Sequence, residues 1–446
     1  MRFMFVILFI LPTIFGMNAC ENKALSQHLR YPEKKTYIVG FKDSTSVEQQ
    51  DQLVSKLRAK INFKFIKTFA GIVVKISKEI KKMFEESGLV EWIQENIFTP
   101  LSELEFPEFE VPEISFKRSQ QLESRQPTAT IGAGEYDSSD VESTIKIRSY
   151  MEKWQNEAPW GLARLSHAKT NQKAYHYHGS AGRDTCVVVI DSGIDAKNPE
   201  FGDRARFLKT FSRGLNDVVS GHGTQLASII GGKTYGVAKR TKIYSIKVTN
   251  DMYCGVEHLK VIKAMEYIID VAPTLKCSKG ITVLLPQGDF NSISFQKAAS
   301  SLADAGIFVV IPAGNRGIEA ERITAAIDPR VCIVGATDRN DRLWKWSNYG
   351  KHVDILAPGV EIQTLDSRVK RLGVKKASKV IVGSSTSLAA AHVAGLGAYL
   401  LGLGKSPKTL CNYIVNNGIE NTIDYSESKD SRQETPNVLA NNGFLE

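Results

Sequence analysis

Residues 186–195 read CVVVIDSGID. The first five are apolar with no polar residue between them, so the segment is a strand buried on both faces, the pattern of parallel sheets covered by helices. Asp-Ser-Gly is turn chemistry and ends the strand at Asp191. A carboxylate therefore stands at a strand's carboxyl end, where open α/β sheets gather their functional groups. Continuous β-rich runs recur at 243–248, 281–285, 307–311 and 331–334, with helical periods at 256–271 and 294–305 between them. From about residue 158 onward this spacing predicts a doubly wound, mostly parallel α/β domain.

Two further segments, GHGTQLA at 221–227 and STSLAAAHVAG at 385–395, bring the chemistry. A serine hydroxyl is a weak nucleophile until an imidazole takes its proton, and the imidazole needs a carboxylate to fix its tautomer. Asp191, His222 and Ser387 supply these groups in one of the chain orders that give such a geometry. Ser387 opens an Ala- and Gly-rich helix, whose N-terminal amides and positive dipole end favour negative charge on oxygen. Taken singly, each segment has a plainer role: a turn at Asp191, a core or capping histidine at His222, an N-cap at Ser387. The three together, at a strand end and two helix starts, point to acyl transfer.

The 446-residue chain is 42% apolar, long enough for a large core and a smaller companion. Its net charge of +9 raises the question of a nucleic-acid partner. Much of the excess, however, lies in Lys56, Arg58, Lys60, Lys64, Lys67, Lys75, Lys78, Lys81 and Lys82, which alternate with apolar residues as a solvated face does. No nucleic-acid partner is expected. Residues 1–19 place one arginine before an apolar run interrupted by Pro12 and end in small or polar residues, the layout of a cleaved signal peptide and not of a membrane span. Cys20, directly after Ala19, leaves a lipid anchor as the alternative. The apolar stretch 388–403 contains His392 and several glycines and reads as a buried helix. No Asn-x-Ser/Thr acceptor occurs, so N-glycosylation is not expected.

Residues 35–95 carry a strand, helix, strand, strand, helix, strand pattern, which is a ferredoxin-like α+β sandwich with one sheet face left over. Residues 99–150 are rich in Glu, Ser and Gln, are interrupted by Pro107, Pro112 and Pro127, and read as a linker open to proteolysis, with a dibasic pair at Lys117–Arg118.

The Asp, His and Ser segments, with IPAGN at 311–315 and the run VCIVGATDRNDRLWKWSNYGKHVDILAPG at 331–359, resemble the subtilase superfamily of serine proteases, in its proteinase K-like branch. APWGLARLS at 158–166 resembles the start of a mature enzyme of that branch. The resemblance implies a serine endopeptidase at 151–446 and, more loosely, an inhibitory and chaperone prodomain at 35–98, with processing inside 99–150. It implies that Asn315 donates to the oxyanion together with the Ser387 amide, although Asn315 read alone is a turn residue. It pairs Cys186 with Cys277 and Cys332 with Cys411, leaving Cys20 and Cys254 over. It implies a structural calcium ion held by the carbonyls of Pro329 and Val331 and the carboxylate of Asp354, with a salt-bridged Asp354 as the alternative. It places Tyr253, Cys254 and Gly255 on one edge of the substrate cleft and Pro286, Gln287 and Gly288 on the other.

Here the chain departs from the branch, reading LLPQGD where the family has Ser-Leu-Gly-Gly, and Pro286 has no amide to donate to a substrate backbone. Asp289 beside it would favour basic or small side chains. The expectation is a secreted, monomeric zymogen that cleaves protein or peptide substrates broadly and is inhibited by its own prodomain. Two competing readings are a subtilase-fold binding or wall protein that has lost activity, motivated by the altered strand, and a dibasic-specific processing protease.

Overall fold

The computed structural model describes residues 34–99, 151–212, 221–249, 256–285, 292–320, 328–365, 380–425 and 434–444. The proposed signal peptide, all of the linker but Thr99, and the cleft residues Tyr253, Cys254, Gly255, Pro286, Gln287 and Gly288 lie outside them, as do Cys20 and Asp289.

KTYIVGF forms β1 (Lys35–Phe41) and is followed by α1 (Val47–Lys56), β2 (Ile61–Phe65), β3 (Gly71–Ile76), α2 (Lys78–Glu85) and β4 (Val90–Glu95). Local chemistry sets the helix starts. Ser46 and Gln49 close a reciprocal capping box on α1, and Ser77 caps α2. The sheet runs β2-β3-β1-β4, each pair antiparallel. Strand alternation divides its residues between two faces. Tyr37, Val39, Phe41, Ile72 and Val74 pack with Val54, Leu57 and Phe84 into a core of the unit's own. Ile38, Phe65, Val73 and Trp92 instead share a buried cluster with Ile262 and Phe295 of the larger domain. Of the nine basic residues named above, eight are exposed and Lys81 is half-buried, as a solvated face requires.

A short strand β5 (Phe98–Thr99) ends this unit, and β6 (Glu152–Gln155), α3 (Trp160–Arg164) and β7 (Tyr175–His178) open the larger one. There follow β8 (Cys186–Asp191), β9 (Ala205–Thr210), α4 (His222–Gly231), β10 (Lys242–Lys247), β11 (Val256–Glu257), α5 (His258–Val271), β12 (Ile281–Leu284), α6 (Ile293–Asp304), β13 (Phe308–Pro312) and β14 (Val331–Thr337). The chain ends through β15 (Ile355–Pro358), β16 (Ile362–Leu365), β17 (Val380–Gly383), α7 (Thr386–Gly402), α8 (Leu410–Asn416), β18 (Ile419–Glu420) and β19 (Val438–Leu439). The main sheet is ordered β18-β19-β15-β14-β13-β12-β8-β10-β9, and every pair but β18–β19 is parallel. This is the doubly wound α/β fold that the apolar runs predict.

All of α7 is buried, against α4 on one side and the sheet on the other. A run of Ala and Gly side chains is what lets a helix pass through a core at that depth. Disulfides join Cys186 to Cys277 and Cys332 to Cys411. They close loops of 91 and 79 residues, each contributing about 4.5 kcal/mol by the chain-entropy relation.

The small unit docks on α5 and α6. Glu266 of α5 accepts from the backbone amides of Ile66, Lys67 and Thr68 at 2.7–2.8 Å and from the Thr68 hydroxyl at 2.7 Å. Gln94 Oε1 accepts from Ser294 N and from the hydroxyls of Ser292 and Ser294. Asn96 brackets the start of α5, accepting from Leu259 N at 3.0 Å and donating to Glu257 at 2.8 Å. β5 then lies antiparallel to β11, Thr99 opposite Val256.

Candidate active site

Asp191 ends β8 in register with Lys247 of β10, and its carbonyl accepts from Val248 N at 2.9 Å. β8, β12 and β13 are parallel neighbours, so residues just past β13 emerge at the same end of the sheet as Asp191. Asn315 is such a residue, three positions beyond Pro312.

His222 is the first residue of α4, and the glycines around it are structural requirements. Gly221 takes φ +80° at the cap, a conformation that costs other residues strain. A Cβ on Gly223 would stand 2.4 Å from the Gly193 carbonyl and 3.2 Å from Asp191 Oδ1. Without that Cβ the helix start can sit directly on the Asp-Ser-Gly turn. His222 Nδ1 thereby lies 2.9 Å from both Asp191 oxygens. A carboxylate only accepts, so Nδ1 carries the proton and Nε2 presents its lone pair on the other side of the ring. Burial works against the Asp191 carboxylate, but the charge of His222 when its ring is protonated, the His222 hydrogen bond and the bonds from Ser192 outweigh it and hold its pKa below the ordinary value. Asp191 thus stays ionised.

Ser387 is the second residue of α7, and the cap is Ser385, whose hydroxyl accepts from Leu388 N at 3.2 Å. That division settles the N-cap alternative, because capping is done two residues earlier. Asn315 Oδ1 accepts from Thr386 N at 2.8 Å and from Thr386 Oγ1 at 2.7 Å, and Thr386 Oγ1 accepts from Gly314 N at 3.1 Å. With its oxygen engaged there, the Asn315 amide directs its Nδ2 donor to the opposite side. Asp191, Asn315 and Ser387 are all buried, each 4% exposed, while the His222 side chain is 19% exposed.

Residues 182–440 match the model of the subtilase family. Proteinase T of Parengyodontium album is 40% identical over 65% of this chain and 94% of that protein. The cuticle-degrading protease of Metarhizium anisopliae is 34% identical over 91% of this chain and 89% of its own length. The chain belongs to the subtilase family. A solved cold-adapted subtilisin-like serine proteinase, 26% identical, superposes with a TM-score of 0.56 over 64% of this chain and 98% of its own. The activity of the family, serine-protease hydrolysis of peptide bonds, and its proteinase K-like branch follow from these matches.

In this subtilase the carboxylate implied for a calcium site is that of Asp354. Asp354 Oδ2 accepts from Ile333 N at 2.7 Å, and burial pushes the carboxyl up to about 7. The neighbouring cation Arg330 is turned to Asp328 and Asp304, and Asp354 makes no ion pair among the described residues. The Cys332 and Cys411 sulfurs lie within 4.8 Å of the Asp354 carboxylate, but they are bonded to each other and are not thiolate donors. The side-chain donor that remains in this group is the Asp354 carboxylate, an oxygen ligand of the kind a hard cation takes.

Three residues with functional contacts carry no motif of their own. Thr386 anchors Asn315, Ser192 touches both Asp191 and α4, and Glu266 holds the small unit. Glu266 left one faint trace, a lone acid at a buried position in VIKAMEYII. Among the described residues, no helix is long and apolar enough to cross a membrane.

Proposed function

We propose that this subtilase is a secreted serine endopeptidase made as a zymogen, with Asp191, His222 and Ser387 as its triad. Ser387 Oγ attacks the scissile carbonyl carbon while His222 Nε2 takes the hydroxyl proton. The same nitrogen then returns the proton to the leaving amine, and an acyl-enzyme remains. Water attacks the acyl carbon by the same proton path in reverse, freeing the acid and restoring Ser387. Asp191 steadies the imidazolium formed in each step. Asn315 Nδ2 and the Ser387 amide bind the oxyanion, helped by the positive end of α7. The observation that carries this reading is the His222 Nδ1–H held between both Asp191 oxygens at 2.9 Å.

Residues 35–98 act as inhibitor and folding aid in this proposal, and 1–19 as the signal for export. Support comes from β5, which pairs with β11, while Val256 of β11 bridges to Thr249, two residues beyond the register partner of Asp191. The tail of the small unit therefore pairs with a strand that bridges to the chain just beyond the register partner of Asp191. Broad side-chain specificity and a structural calcium ion at Pro329, Val331 and Asp354 complete the proposal. When bound, such an ion would balance the buried carboxylate and tie the start of β14 to the start of β15.

A fluorophosphonate probe tests the catalytic part: the adduct is expected on Ser387 of processed protein and absent from Ser387→Ala. A folded, processed chain that takes no label is a pseudoenzyme. N-terminal sequencing of active material tests the zymogen part, where a start before Leu101 would overturn it. Cleavage of a peptide library reads the specificity, and strict dibasic cleavage would replace the broad reading with a processing one.

A further inference from the structure

Ser192 follows Asp191 directly, yet its hydroxyl serves a different element. It accepts from Gly223 N at 3.1 Å, at the second residue of α4. That amide is among those at a helix start that the helix itself cannot satisfy. The N-cap residue, Gly221, has no side chain to offer it, so the cap comes from across the site. The Ser192 amide also donates to Asp191 Oδ1 at 2.6 Å, and its hydroxyl contributes to stabilising the Asp191 carboxylate. At 4% exposure, water is poorly placed to substitute for it. A second tie, Asp195 N to Thr224 Oγ1 at 2.9 Å, joins the same two elements but touches neither Asp191 nor His222.

We propose that Ser192 is a positioning residue, which locks the Asp191 carboxylate and the first turn of the His222 helix into one frame. His222 is the first residue of that helix, so any roll of the first turn swings the imidazole. Without the Ser192 hydroxyl the carboxylate and the ring can drift apart even though each is still present. Among the described residues the contact joins only the Asp191 turn and the start of α4, so its loss is expected to fall on the chemical step. This inference rests on the triad reading above.

The test measures kcat and KM on one peptide substrate for the processed wild type, Ser192→Ala, Ser192→Thr and Ser387→Ala. Residual wild-type turnover in Ser387→Ala defeats the triad reading itself and is recognisable as that. With Ser387→Ala inactive, Ser192→Ala is expected to lose about tenfold in kcat at a nearly unchanged KM, a fraction of the roughly 10⁴-fold loss on disabling a triad carboxylate. Ser192→Thr, which keeps the hydroxyl, is expected to stay near wild type. A wild-type kcat in Ser192→Ala, a loss shared with KM, or an equal loss in Ser192→Thr overturns the proposal. Should Ser192→Ala fail to process, the full-length Ser387→Ala chain, which needs no processing, carries the same substitution. The downfield His222 Nδ1 proton signal is then expected to broaden or move, and an unchanged signal overturns the proposal.

Discussion

With its oxygen accepting twice from Thr386, Asn315 gains an amide orientation that a lone asparagine in a Gly-rich turn would not hold. A donor fixed in advance of reaction is worth more than one that must reorganise, and losing a single oxyanion donor typically costs about 10²–10³ in kcat. Asn315→Ala is therefore expected to fall by about that factor with KM little changed; steady-state kinetics on a peptide substrate measures the split, and a loss confined to KM would contradict the role. The residues proposed as the reacting groups stand in segments that could be read from the sequence, because turns, caps and strand ends have local signatures. Thr386 and Ser192 were not, because their importance lies in which distant atom they meet. A threonine beside a serine and a serine beside an aspartate look like ordinary cap and turn residues until the chain is folded.

The five apolar runs became β8, β10, β12, β13 and β14, which are adjacent in the sheet, whereas β9, β15, β18 and β19, found only in the structure, lie outside them. Central strands are buried on both faces and are therefore mostly apolar, although β10 buries Ser245 and Lys247 and β12 buries Thr282. β9, ARFLKT, sits at one edge with a mostly exposed or half-buried pattern, β15 contains a proline, and β18 and β19 have two residues each, too short for any period. The helix α7 was legible from its small residues, and it also carries a buried titratable group. His392 Nδ1 bonds the Leu388 carbonyl at 2.9 Å, and burial drives the imidazole down to about 4 from 6.5. Between those values the unfolded chain takes a proton that the folded one refuses, so stability is full above 6.5 and declines as pH falls toward 4, by roughly 3 kcal/mol in total. Asp354, raised to about 7, works in the opposite direction over the same window, so the effect is read as a difference: adding His392→Gln to a Ser387→Ala chain should make its urea midpoint fall less, or rise more, as pH drops from 6.5 to 4. The junction of β14 and β15 makes a separate prediction. If Asp354 holds calcium, the ion at a hundredfold its Kd adds about 2.7 kcal/mol, several degrees in Tm, and Asp354→Asn removes the response. A thermal melt that calcium does not move would exclude the site.

On the scale of the whole chain, two folding units meet across a face that the sequence could only leave unpartnered. The spare sheet face of the small unit implied a docking surface, but nothing in the composition said that a single carboxylate would organise it. Glu266 gathers three backbone amides and a hydroxyl from the turn at 66–68 while its own burial is nearly complete. Its removal does more than delete hydrogen bonds, since the amides stay buried without an acceptor at about 1–3 kcal/mol each where water cannot enter. The apolar contacts through Ile38, Phe65, Val73 and Trp92 remain, so the small unit should loosen and not unfold outright. In a full-length Ser387→Ala chain, which cannot cut itself, Glu266→Ala is expected to make residues 34–99 trypsin-sensitive well before the larger domain. Glu266→Gln, which keeps one acceptor oxygen, should fall between the two. Equal digestion of the small unit in all three chains would show that Glu266 does not hold it and that the apolar face, with the β5–β11 pairing, does.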